Sequence, residues 1–188
     1  PSPICFPAGT RVLCDQGVLC VDSLEAGVHT FGGRELLAVT CADPFPWVRH
    51  LIRLSALCLG GFPLVDVLVS PAHRVRHRGE LVPAQSLSSV PGVSEVPFSG
   101  GPLFNVLLRE HGCICVEGLE CETLDPRNLV SQIVGGAYSP AARDARLRSL
   151  SRAVRRNDAR AYVGLCAAAA AASRAHARVP RVRVSKFA

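Results

Sequence analysis

Methionine is missing from all 188 residues, so the sequence is expected to be less than a whole translation product, with Pro1-Ser2-Pro3-Ile4 the tail of an upstream segment. There is no basic, apolar leader at the N-terminus and no run of about eighteen apolar residues, the length a bilayer span needs. The nearest approach, residues 161–177, is dominated by alanine and broken by Arg174 and His176, so no transmembrane segment is expected. Cysteine is present nine times but never at Cys-x-x-Cys spacing. Without such pairs a zinc site is not indicated, and neither a metal nor another cofactor is expected. The odd count leaves at least one thiol outside any disulfide within a monomer, the expected state of this chain, whose length suffices for a core without a disulfide framework. Cys113 and Cys115, two apart in a predicted strand, are expected to point to one face and pack there. Beyond Ala141 the only aromatics are Tyr162 and Phe187, too few to stack single-stranded nucleic acid.

Charge divides the chain. Residues 1–140 carry 9 Lys+Arg against 13 Asp+Glu, whereas residues 141–188 carry 12 against 2, so the net +6 belongs to the C-terminal part. The hydrophobic pattern changes at the same place, from period-two segments to an Ala- and Arg-rich stretch of high helix propensity, with Gly135-Gly136 and Pro140 marking the transition.

Short strands are predicted before that transition: Arg11 to Cys14, Val18 to Val21, Val28 to Phe31, Leu36 to Thr40, Val48 to Leu54, Leu64 to Val69, Leu81 to Ala84, and a pair around Glu110-His111-Gly112. Glycine, proline and aspartate punctuate them, as in Asp15-Gln16-Gly17 and Glu25-Ala26-Gly27. Many short strands with such turns argue an all-β unit. Arg74, Arg76 and Arg78 alternate around His77 and are expected on one exposed, solvated strand face.

Chemistry concentrates at the N-terminus. In Cys5-Phe6-Pro7-Ala8-Gly9-Thr10 a thiol lies where it can attack the carbonyl of the residue before it, Ile4, through a five-membered ring that needs only Cys5 and its own peptide bond. That attack turns an amide into a thioester. An amide nitrogen leaves only when protonated, so a positioned acid is needed as well, and His73 in Ser70-Pro71-Ala72-His73, at the end of a predicted strand, is the candidate.

Three blocks stand in order: Cys5 to Thr10; Ser70-Pro71-Ala72-His73; and Phe104-Asn105-Val106 running through His111-Gly112-Cys113-Ile114-Cys115-Val116-Glu117-Gly118 to Thr123. Together they resemble the Hint superfamily, the self-processing domain shared by Hedgehog C-terminal segments and inteins, over roughly residues 5–125. The resemblance is nearest to the Hedgehog-type and bacterial-type domains that lack a C-terminal His-Asn. It implies a pseudo-symmetric horseshoe of short strands in which both ends of the domain meet at the site. It also implies that His73 contacts the scissile nitrogen and that Ser70, where the family has threonine, steadies the twisted amide or the oxyanion. Asp43, between the first two blocks, stands where Hedgehog-type domains carry the base that activates an alcohol, although Asp before Pro44 is also a turn element. Cys121 or Thr123, near where those domains carry a further cysteine, is a candidate shuttle or structural position, with packing the safer reading for both; His111 and Glu117 recur in the closing block, where a tight turn and a solvent-facing carboxylate explain them equally well.

Splicing is not expected. Asn128 lies near the end of the resemblance but follows Arg127 and precedes Leu129, so neither the His-Asn pair nor the following nucleophile is in place. The expected activity is autocatalytic processing at Ile4–Cys5, with the upstream polypeptide as substrate and water, a thiol, an amine or an alcohol resolving the thioester. A degenerate Hint domain kept as a binding or structural module is the other reading. The expected organisation is an upstream remnant at 1–4, the processing domain at 5–128 and a basic extension at 129–188. That extension is read as flexible or weakly helical; the resemblance implies, as a second reading, a helical piece whose apolar face recruits a lipid adduct, and any nucleic acid or membrane surface would be met through it.

Overall fold

The computed structural model describes residues 4–42, 48–127 and 139–156, together with 158, 160, 161, 164, 165 and 168. Its chain forms two compact units, Pro1–Pro126 and Arg127–Ala188.

The first unit is all-β. Thirteen strands run β1 (Phe6–Pro7), β2 (Arg11–Cys14), β3 (Gly17–Cys20), β4 (Thr30–Phe31), β5 (Arg34–Ala42), β6 (His50–Leu54), β7 (Val67–Val69), β8 (Arg74–His77), β9 (Glu80–Pro83), β10 (Val93–Pro97), β11 (Leu103–Leu108), β12 (Cys113–Val116) and β13 (Leu119–Glu122) among the described residues. All pairings are antiparallel. They build a four-stranded sheet in the order β1-β11-β5-β4, a three-stranded sheet β10-β6-β7 and a six-stranded sheet β3-β2-β12-β13-β8-β9. The period-two alternation works as a burial code: Val12 and Cys14 of β2 point inward while Arg11 and Leu13 point out. Val12, Leu36, Ile52, Leu54, Val69, Val106 and Leu108 meet in one core with no more than 1% exposure each, the dominant source of stability here.

Several sequence expectations are corrected. Val28 is exposed in a turn closed by Val28 N–H to Glu25 O, and only Thr30–Phe31 of that segment is a strand. Leu64 to Asp66 forms a loop, because the Leu64 N–H is spent on Glu117 O at 2.7 Å and the Asp66 carboxylate accepts the Ala56 N–H at 2.9 Å; β7 starts at Val67. Cys113 and Cys115 share a face, but it is the half-exposed one; Ile114 and Val116 fill the core. Arg78 leaves the strand face of Arg74 and Arg76, with φ +50 in the β8–β9 turn, and Arg76 is paired with Glu120 at 2.9 Å rather than simply solvated. Strand β10 falls in a segment where no strand is predicted.

Gly92 turns a corner with φ +89, and a Cβ there would meet the Cys58 Cβ at 2.7 Å. Gly92→Ala adds a left-handed side chain and a clash, so a loss of roughly 1–3 kcal/mol is expected in chemical denaturation. An unchanged midpoint would show that this corner is not the constraint.

In the second unit, helix α1 (Pro140–Arg155) lies in the part of the chain where a basic helix is expected. The Ser139 hydroxyl caps it, accepting the Ala142 N–H at 3.3 Å, with Pro140 in the first turn, where its missing N–H costs nothing. No helix among the described residues is long and apolar enough to cross a membrane.

Candidate functional site

The N-terminal strand is threaded between two neighbours. On one side β1 pairs with β11, Phe6 opposite Phe104 and Pro7 opposite Leu103. On the other, the Cys5 carbonyl accepts the Ser70 N–H at 3.0 Å, just past the end of β7. Cys5 itself is buried in a small apolar cluster with Leu51 and Leu103, against which Val48, Leu68, Val96 and Phe98 pack. Removal from water, with Cys41 nearby adding to the effect, pushes the Cys5 thiol up to about 12.

The Ser70-Pro71-Ala72-His73 block forms a turn for local reasons. Proline sits at the second position, where its fixed φ suits a β-turn, and the His73 N–H closes the turn on Ser70 O at 3.0 Å. A short 3₁₀ helix, Ala84–Leu87, clamps the turn through Ala84 N–H to His73 O (2.8 Å) and Gln85 N–H to Pro71 O (2.9 Å). Ser70 and His73 are thereby both held inside the protein, at 0% exposure. The Ser70 hydroxyl accepts the Cys5 N–H at 2.8 Å, so it holds the nitrogen of the Ile4–Cys5 peptide bond.

His73 lies between two carbonyl oxygens and against the Phe6 ring, with centroids 4.2 Å apart. Nε2 is 3.1 Å from Glu122 O, and Nδ1 is 3.4 Å from Cys5 O. Both nitrogens thus face carbonyl oxygens rather than the Ile4–Cys5 nitrogen that the resemblance has His73 contact, so a neutral ring donates to one of the two carbonyls and an imidazolium to both. Burial lowers the ring to about 4, against which the two carbonyls pull only partly. The ring is therefore neutral near pH 7, yet it stands where an imidazolium would donate to a carbonyl on each side.

Sequence reading thus names Ile4, Cys5, Ser70 and His73, and the fold brings these four together. Thr123 staples the β11–β12 connection, its N–H donating to Gly112 O at 2.8 Å and its hydroxyl accepting the Gly112 N–H at 3.1 Å. Cys121 is buried on β13 in the main core, opposite Val75. His111 is exposed and stands 3.8 Å from the Glu122 carboxylate, which also accepts the Arg74 N–H at 3.2 Å. Glu117, at φ +49 in the β12–β13 turn, pairs with Arg11 at 3.0 Å through its second oxygen, so it is not a solvated carboxylate. Asp43 and Asn128 lie outside the described residues. Among the described residues no cluster of His, Cys, Asp or Glu is arranged to hold a metal.

One polar group at the junction is not singled out by sequence reading. Asn105 of β11, 1% exposed, donates its side-chain N–H to the Ile4 carbonyl oxygen. The signal available was a buried-strand pattern, Leu103 to Leu108, interrupted by one amide, where an apolar side chain would fit the periodicity.

A family model described as Hint domain matches residues 4–128. No curated protein matches the chain. Among solved structures, the solution structure of a bacterial intein-like domain from Clostridium thermocellum is 15% identical, with 66% of this chain and 100% of that chain covered and a TM-score of 0.48. A splice-inactive, GSH-linked AceL NrdHF class 3 split intein variant is 10% identical, with 63% and 96% covered and a TM-score of 0.44.

Proposed function

The chain belongs to the Hint domain family of self-processing domains, and from that premise we propose that it cuts its own polypeptide at Ile4–Cys5 by an N–S acyl shift. The observation that supports this reading is the grip on residue 5: Ser70 Oγ accepts the Cys5 N–H, and the Nδ1 of His73 stands 3.4 Å from the Cys5 carbonyl oxygen. In this reading His73 takes the proton of the Cys5 thiol, which at a pKa of about 12 does not ionise unaided. Sγ attacks the Ile4 carbonyl carbon. The C–S bond forms, the C–N bond breaks, and the imidazolium returns its proton to the Cys5 nitrogen as it leaves. Ser70 keeps that nitrogen oriented and draws on its N–H.

The upstream polypeptide is then a thioester on Cys5, and an external nucleophile releases it. Water, a thiol or a Hedgehog-like alcohol would each serve; the apolar cluster around Cys5 favours acceptors other than bulk water. Splicing is not part of this proposal, since no His-Asn pair closes the domain.

A reporter domain fused upstream of Pro1 tests it. Release of a reporter ending at Ile4, accelerated by excess thiol and identified by intact mass, is the expected result. A fusion that stays whole in excess thiol overturns the proposal and favours a domain retained for binding or structure.

A further inference from the structure

During attack, negative charge builds on the Ile4 oxygen, and the group that meets that oxygen is Asn105. The strand register explains why. With Phe6 opposite Phe104, the next main-chain step of the β1–β11 ladder would bring Ile4 opposite Val106. Instead the Asn105 side chain is inserted into that step. Its Oδ1 accepts the Val106 N–H at 2.7 Å, and its Nδ2 donates to Ile4 O. The Val106 carbonyl is occupied too, accepting the Leu124 N–H at 2.9 Å. The amide cannot flip without losing both bonds, so the donor end is locked toward Ile4. It is also buried, where a hydrogen bond to developing charge is worth most.

We infer that Asn105 is a catalytic residue of the acyl shift, the oxyanion donor that stabilises the tetrahedral intermediate on Ile4. The inference rests on the reading that Ile4–Cys5 is the bond attacked. Asn105 exchanges no proton: as Sγ adds, the carbonyl becomes a C–O⁻ group that the Asn105 N–H holds, and the charge returns to a carbonyl when the C–N bond breaks. A purely structural Asn105 would tie β1 to β11 and nothing more.

The same reporter fusion separates these roles. In saturating thiol, Asn105→Ala is expected to slow release by about 10²–10³-fold, the usual cost of one oxyanion donor. Asn105→Asp carries the sharper signature. Its carboxylic acid can donate to the oxyanion, whereas its carboxylate sets a negative charge against it, so its rate of release relative to wild type at the same pH should rise toward acid pH and fall as the new side chain ionises. A structural role predicts no such pH dependence. In a Cys5→Ala fusion, which holds the amide intact, a ¹³C label at the Ile4 carbonyl should give an amide I band that moves to higher frequency when Asn105→Ala is added. A wild-type fusion that releases its reporter while Asn105→Ala matches it within about threefold overturns the inference alone. A wild-type fusion that stays whole overturns the cleavage reading and this inference with it. If Asn105→Ala fails to fold, the pH profile of Asn105→Asp decides, and a profile parallel to wild type rejects the oxyanion role.

Discussion

Cys5→Ala is expected to reduce release of the upstream polypeptide below detection at every pH and thiol concentration, the largest effect of any substitution in the chain. The reaction needs an atom that can add to the Ile4 carbonyl through a five-membered ring, and alanine has none. Added thiol cannot substitute, because it attacks thioesters readily and amides hardly at all. The loss should be chemical rather than structural: the side chain removed is one sulfur from a small cluster with Leu51 and Leu103, at a stability cost of about 1 kcal/mol. Cys5→Ser gives a second, independent reading of the mechanism. A hydroxyl can still add, but it yields an ester, so any residual release should lose its acceleration by thiol. Intact-mass kinetics on the fusion, with a denaturation curve for each variant, checks both. A reporter released from the alanine variant with a terminus at Ile4 would remove Cys5 from the mechanism.

What the sequence discloses and what it hides follow from how far apart the interacting groups lie. Cys5, Ser70 and His73 are legible because each sits in a short block whose residue types already carry the chemistry: a thiol after a scissile position, and a hydroxyl and an imidazole on one Ser-Pro-x-His turn. The strands of the sheets were legible where alternation is strict, as in Arg11 to Cys14. Alternation fails at Val93–Pro97, where Val93 is buried but Glu95 and Pro97 on the same side of the strand are exposed, and at Leu64 to Asp66, where apolar residues are held in a loop by bonds to Glu117 and Ala56. Local pattern cannot report such tertiary bonds. Asn105 is the extreme case. Its partner is 101 residues away, and its place at the junction depends on the β1–β11 register together with a side-chain amide taking over a ladder bond. Burial was equally out of reach: nothing in Ser-Pro-Ala-His states that His73 is fully enclosed, and that enclosure decides its protonation.

His73 therefore carries the second large prediction, with a signature in rate and another in stability. Removing the ring by His73→Gln should slow release by about 10²–10⁴-fold, the range for a general acid–base group. In the wild type the neutral ring is the base, so release should fail as pH drops through about 4, where the buried imidazole finally takes a proton. The glutamine variant should lack that acid limb. Stability moves over a different window. Above pH 6.5, the ordinary value of the ring, folded and unfolded chains both hold it neutral and it contributes no pH dependence. Between 6.5 and about 4 the unfolded chain binds a proton that the folded one refuses, so folding weakens as pH falls, by up to about 1.4 kcal/mol per pH unit. Below about 4 both states are protonated and this contribution levels off. Denaturation midpoints measured for Cys5→Ala, which cannot cut itself, with and without His73→Gln, isolate the term: the double variant should lose the acid slope between those limits. Equal slopes in the two would mean that His73 is not held neutral by burial, and with it would go the argument that the ring, rather than solvent, takes the thiol proton from Cys5.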